Sequence, residues 1–207
     1  MTTPNNIILV GFPQSSIVAE LTSLISEENI NITVCDVDSF LNNTTDHSVP
    51  HLICISLDLD LRKQVIEHAD QHNVSRYTYI DSTAKVAKSA VIEAGSFIGP
   101  FCYIGIHTHV GHDVIVAPYS MINHYSKIGR GSILHPSSMI AGSTKVGEYC
   151  RFSLRATAID HLTIANNTQV GAGAMLTKDV VEPGDRYLGN PARRIVTPPA
   201  CHVSTKV

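Results

Sequence analysis

The sequence predicts a chain in two parts: a small α/β unit of Rossmann-like character, then a parallel β-helix built from hexapeptide repeats. The main observation is a period of six. From Ile80 onward a large apolar residue returns at every sixth position: Val86, Ile92, Ile98, Ile104, Val110, Val116, Ile122, Ile128, Leu134, Ile140, Val146, Phe152, then Ala158, Ile164, Val170 and Leu176. Only Ala158 is small. The second observation is that residues 1–77 lack this period and show strand and helix patterns in turn.

A period of six fits neither the 3.6 of a helix nor the simple alternation of a strand, and hexapeptide repetition is the signature of a parallel β-helix. Two positions before each aliphatic residue the side chains are mostly small (Ala84, Ala90, Ser96, Cys102, Thr108, Ser120), as an inward place near a corner requires. The position after it is rich in Gly, Ala and Asn (Gly99, Gly105, Gly111, Asn123, Gly129, Gly147, Gly171), and these residues are expected to take the turn in a left-handed backbone conformation. Three hexapeptides make a triangular coil, so residues eighteen apart stack at strand spacing, roughly 4.8 Å. The β-helix is expected over residues 78–181, with between five and six coils and no inserted loop.

In the first part, Asn6–Val10 reads as a buried strand ending at Gly11, and Ser15 or Ser16 can cap a helix with Ile17, Val18, Leu21, Leu24 and Ile25 on one face. Ile32–Val37 and His51–Leu57 read as strands, Asn42–Pro50 as a polar loop and Leu61–His72 as a second helix. This order suggests a small parallel sheet over residues 1–77, a possible nucleotide-sugar-binding domain. Asp36 and Asp38 end the second strand, where such a sheet meets a ribose hydroxyl; Gly11, Pro13 and Ser15 form the turn where a helix N-terminus can hold a phosphate. Residues 182–207 form a turn and a tail of little information, expected to be disordered from Pro198.

Composition excludes several partners. A net charge of −3 with 15 Lys and Arg gives no basic patch for nucleic acid or anionic lipid. The opening MTTPNNIILVG is neither a secretory signal nor a span, so a cytoplasmic protein without membrane insertion is expected. Cys35, Cys54, Cys102, Cys150 and Cys201 form no CxxC pair and read as buried free thiols.

Ile122-Asn123-His124 with Lys127-Ile128-Gly129, Val146-Gly147-Glu148-Tyr149-Cys150, Val170-Gly171-Ala172-Gly173-Ala174 with Lys178-Asp179-Val180, and Gly189-Asn190-Pro191-Ala192-Arg193 together carry a resemblance. The chain resembles the hexapeptide-repeat sugar acetyltransferases, the relatives of sialic acid O-acetyltransferase and of UDP-4-amino-sugar (bacillosamine) N-acetyltransferase. The likeness covers nearly the whole chain and is strongest from about residue 80. It implies a left-handed coil, a homotrimer with sites between subunits, acetyl-CoA as co-substrate without a metal, and a role in surface-polysaccharide biosynthesis.

It also implies that His124 is the general base for an amine attacking the thioester, a task suited to neutral imidazole. By family position, Leu154, Ala172 and Gly173 meet acetyl-CoA, and Arg155, Lys178, Arg193 and Arg194 are expected near its phosphates. The chain departs from bacillosamine-type relatives at three places. Tyr125 stands where an acid follows the histidine, Ile133 stands where a second histidine lies, and the first turn carries one glycine, Gly11. The orienter of His124 is therefore unassigned. The expected activity is N-acetylation of a nucleotide-linked amino sugar; O-acetylation of a sugar hydroxyl and a non-catalytic trimeric scaffold or binding module are the alternatives.

Overall fold

A computed structural model describes residues 4–27, 29–55 and 58–195 of the 207. The first part forms a three-stranded parallel sheet in the order β2-β1-β3, from β1 (Asn6–Val10), β2 (Asn31–Cys35) and β3 (His51–Ile53). Helices α1 (Ser16–Ser26), α2 (Val37–Leu41) and α3 (Leu59–Gln71) connect and cover it. Ser15 caps α1 as its position suggests, and Val18, Leu21 and Ile25 are buried. The unit has the three parallel strands that the sequence suggests, with one further short helix, α2.

Two element ends differ from expectation. The second strand stops at Cys35, because Asp36 accepts the amide of Ser39 and starts α2, which overlaps the expected strand only at Val37 and ends before the expected loop. The last helix starts earlier, at Leu59, because Asp58 caps it through the amide of Leu61. Leu57, the expected end of the third strand, lies outside the described residues, as do Cys201 and the tail from Pro198.

From Tyr79–Ile80 to Met175–Leu176 the chain forms two-residue strands, β4 to β20, each ending on one of the periodic aliphatic residues. They build three parallel sheets whose registers pair residues eighteen apart, as in Ile115↔Ile133, Met121↔Met139 and Lys127↔Lys145. Ile98, Ile104, Val110 and most later aliphatics are buried in one core, with Ala158 also fully buried. Ile80 at the open first coil is 41% exposed. Two further strands, β21 (Arg186–Leu188) and β22 (Arg193–Ile195), close the other end of the first sheet.

The left-handed backbone does not sit where the glycine column suggested. Positive φ falls three residues after the aliphatic, at Phe101, His107, Asp113, Tyr119, Tyr125, Ser137, Ser143, Tyr149, Arg155, His161 and Asn167. The glycines directly after the aliphatic have another cause, close approach of the next coil. A Cβ on Gly105 would lie 2.6 Å from the amide nitrogen of His124, and one on Gly129 would lie 2.5 Å from the carbonyl carbon of Gly147.

The three outer faces differ. On the first, Tyr79, Phe97, Ile115 and Ile133 point outward yet are buried, because the α/β unit covers them and joins them to Leu9, Leu21 and Leu52. Arg62 of α3 locks this docking. It is fully buried and donates from Nε to Gly131 O at 3.0 Å, from Nη1 to Ile53 O and Ile55 O at 3.0 and 2.9 Å, and from Nη2 to Asp113 O. The second face carries Lys85, Tyr103, Met121, Met139, Thr157 and Met175 outward; the third carries Val91, His109, Lys127, Lys145 and Thr163.

Candidate active site

His124 sits on the corner that follows the second face, exposed to solvent. The corner residues stack through the coils as Ile106, His124, Gly142, Asp160 and Lys178, and the Ser143 amide donates to His124 O at 2.8 Å. The imidazole lies over Gly142, where a Cβ would come within 2.3 Å of Cε1, 2.7 Å of Nε2 and 2.8 Å of Nδ1. Only glycine leaves this room. Tyr125 meets the ring edge-on at 5.7 Å and is itself stacked on His107 at 5.1 Å. The result is a solvent-facing imidazole in a partly aromatic setting, able to take a proton from a nucleophile outside the coil.

The corner after the first face holds the next group. Leu154 is 55% exposed, and the Gly173 amide donates to Leu154 O at 2.8 Å, so Leu154, Arg155, Ala172 and Gly173 lie on adjacent rungs. Nothing lies within 4 Å of a Cβ built on Gly173, which leaves the backbone open to approach. At the end of the coil, Lys178, Arg193 and Arg194 share a depression of about 220 Å³ with Thr177, Asp179 and Tyr187. Arg194 is already paired with Asp185 at 2.6 Å, which leaves Lys178 and Arg193 as the better anion partners there. Arg155 is not brought into this group.

A larger cleft, about 340 Å³, opens between the α/β unit and the first face. Its floor is Phe97, Ile115 and Ile133; its rim includes Phe12, Ser15, Ser16, Glu20, Asp58 and His135. The N-terminus of α1 opens on it through Ser15. Gly11 is needed beside it, since a Cβ there would meet Val18 Cγ2 at 2.8 Å. Pro13 is exposed and stands outside the cleft lining, as do Asp36 and Asp38. Both Asp36 oxygens are taken by Ser39, at 2.9 Å from its amide and 2.7 Å from its hydroxyl, and these bonds hold the carboxyl below its ordinary pKa. Sequence reading missed Glu20 and Asp58. Neither belongs to a motif, and a helix position facing a separate sheet leaves no local pattern. His135 is half-buried, and burial followed by the charge of Arg151 pushes its pKa down.

Cysteine offers no nucleophile among the described residues. Burial pushes the Cys54 and Cys150 thiols up to about 12 and those of Cys35 and Cys102 to about 11. The same residues contain no group of three or more His, Cys, Asp or Glu able to hold a metal.

A coil of hexapeptides with a small α/β unit docked on one face is a fold shared with solved acetyltransferase structures. The chain is similar to the acetyltransferase domain of PglB from Neisseria gonorrhoeae, at 20% identity and a TM-score of 0.82, over 93% of this chain and 100% of that one. It is similar to PerB from Caulobacter crescentus, solved with CoA and GDP-perosamine, at 21% identity and 0.80, over 94% and 99%. WeeI from Acinetobacter baumannii follows at 18% and 0.52, over 92% and 100%. No protein-family model matches the chain, and no curated protein sequence does. At these identities the likeness establishes the fold, including the left-handed course of the coil.

Proposed function

We propose that the chain is an acetyl-CoA-dependent N-acetyltransferase acting on a nucleotide-linked amino sugar, with His124 as general base. The carrying observation is the exposed imidazole of His124, seated over Gly142 beside the stacked rings of His107 and Tyr125. The amine nitrogen attacks the thioester carbonyl carbon, the C–S bond breaks, His124 accepts the amine proton, and the departing thiolate is protonated to CoA. High-pKa, buried cysteines support direct transfer over an acyl-cysteine route. Lys178 and Arg193 are the proposed phosphate partners of CoA, with Leu154, Ala172, Gly173 and Arg155 along its arm.

The proposed sugar-nucleotide site is the cleft between the α/β unit and the first face, with Ser15, Glu20 and Asp58 on its rim and Gly11 beside it, while Pro13, Asp36 and Asp38 stand outside it. An apolar floor suits a base or sugar face, and a helix N-terminus suits a phosphate. PerB, of like fold, was solved with CoA and GDP-perosamine, which agrees with this substrate class. We place the reaction in a cytoplasmic homotrimer that feeds surface-polysaccharide biosynthesis; no described helix is long and apolar enough to cross a membrane.

The test is CoA release with a panel of nucleotide-linked 3-amino and 4-amino sugars, wild type against His124→Ala. Loss of a general base is expected to lower kcat by about 10²–10⁴-fold, with the melting temperature nearly unchanged because the side chain is exposed. Turnover that survives the substitution acquits His124. Turnover only with hydroxyl acceptors means O-acetylation, and silence with every acceptor and no CoA binding means a scaffold.

A further inference from the structure

We propose that Asp160 is the positioning carboxylate of His124, reaching it across the side-chain gap left by Gly142. The inference rests on His124 acting as the base and supplies the orienter that Tyr125, in the place of an acid, does not provide.

The coil's register sets the geometry. Met121 pairs with Met139 and Met139 with Thr157, and the Ser143 amide donates to His124 O while the His161 amide donates to Gly142 O. His124, Gly142 and Asp160 therefore occupy three consecutive rungs of one corner, each step about 4.8 Å. Gly142 has no side chain, and the imidazole already fills the outer space of its rung, with Cε1 turned toward it and both nitrogens flanking. One rung remains between that ring and the main chain at Asp160. A carboxylate rising over that rung meets one ring nitrogen and leaves the other for the acceptor amine, which is how a carboxylate fixes a tautomer and stabilises the imidazolium. A side chain at position 142 would block both the ring and the carboxylate.

Asp160 is free to make this move. It is exposed and makes no hydrogen bond among the described residues; the neighbouring His161 has its Nε2 3.7 Å from Oδ2. The other titratable groups around the corner are His107 and Tyr125 beside the ring, Lys127 and Lys145 on the following face, and Lys178 and Asp179 beyond Asp160, where Asp179 already accepts the amide of Thr163 at 2.8 Å. The preceding face offers Met121, Met139 and Thr157, none of which titrates. Asp160 is thus the carboxylate of this corner stack closest to His124 along the coil.

The experiment measures the imidazole pKa of His124 by NMR titration of the full chain, assigned through His124→Ala, beside the pH dependence of kcat/KM. A nearby carboxylate favours the charged imidazole by a unit or more. Asp160→Asn is expected to lower the His124 pKa by about one unit and move the acid limb of the pH profile down with it. The same change is expected to cut kcat/KM about tenfold. Asp160→Glu should restore both in part, and Glu148→Gln, on another corner, should leave both unchanged. An unmoved His124 pKa in Asp160→Asn overturns the pairing, whatever the activity. A shifted pKa in a protein that acetylates no acceptor leaves the pairing standing and removes the proposed reaction instead.

Discussion

At the scale of single residues, position in the chain and position in space agree for His124 and part company for Asp36. The histidine is legible because hexapeptide phase tells which residues leave the core: it lies two after the inward Ile122, so it faces out. Asp36 has the right place at a strand end, but its carboxyl is spent on the start of α2, a helix too short to show periodicity in sequence. The two carboxylates on the cleft rim, Glu20 and Asp58, are set there by docking of one unit on the other, and no local pattern records that. This difference is testable. Glu20→Ala is expected to raise KM for the sugar nucleotide about tenfold, the size of one charge-assisted hydrogen bond, and to leave KM for acetyl-CoA alone. Asp36→Ala removes a helix cap, with about 1 kcal/mol of stability, and is expected to leave both constants unchanged. If Asp36→Ala raises the sugar KM and Glu20→Ala does not, the nucleotide lies at the end of β2 and outside the cleft.

At the scale of elements, the β-helix was almost fully written in the sequence, because one residue in six must fill the same inward place in every coil. The α/β unit was legible in its helices and vague at its ends, where caps and two-residue shifts decide. Its least legible feature is a cluster of rings around Phe40. His47, His51 and His68 lie within 6.1 Å of it, and His72 packs on His68 at 4.2 Å. His51 is fully buried, its Nδ1 donates to Val49 O at 2.6 Å, and its Nε2 has no partner. Protonation would bury a charge and an unmet donor together, and desolvation accordingly pushes its pKa down to about 4. Burial also lowers the pKa of His68. Because these folded pKa values lie below the unfolded one near 6.5, the unfolded chain takes up protons first as pH falls. Stability is full above pH 6.5 and is lost between there and about pH 4, by up to roughly 3 kcal/mol from His51. Hydrogen exchange at pH 7 and pH 5 is expected to show the loss in β1, β3 and α3 and little change in the coil. A coil that loosens equally would mean that the two units unfold as one.

At the scale of the molecule, each face of the coil has a different fate, and its outward residues state which. The first face is apolar and covered, with Arg62 anchoring the cover through four carbonyl oxygens. The third is largely basic or polar, through His109, Lys127, Lys145 and Thr163, and suits water. The second is mostly apolar and bare. Tyr103 is 37% and Met139 is 39% exposed in line with Met121 and Met175, and Phe101, Tyr119, Ile106 and Leu154 stand exposed on the corners that flank it. A mostly apolar column, broken by Lys85 at its start and by Thr157, is unusual on a free monomer and matches the core of a subunit interface. It also joins the corner of His124 to the corner of Leu154 and Gly173, so a neighbour packed there would bring a base and an open backbone edge close to a shared site. The proposed homotrimer accordingly uses this face, and light scattering should give three times the chain mass of 22.4 kDa. Met139→Lys puts a charge in the middle of the column without touching the core residue Ile140 behind it. The variant is expected to run as a monomer at micromolar concentration with its circular dichroism intact, and to lose turnover because the shared site no longer assembles. A trimer that survives Met139→Lys would move the interface to another face, and a fully active monomer would mean that each chain holds a complete site of its own.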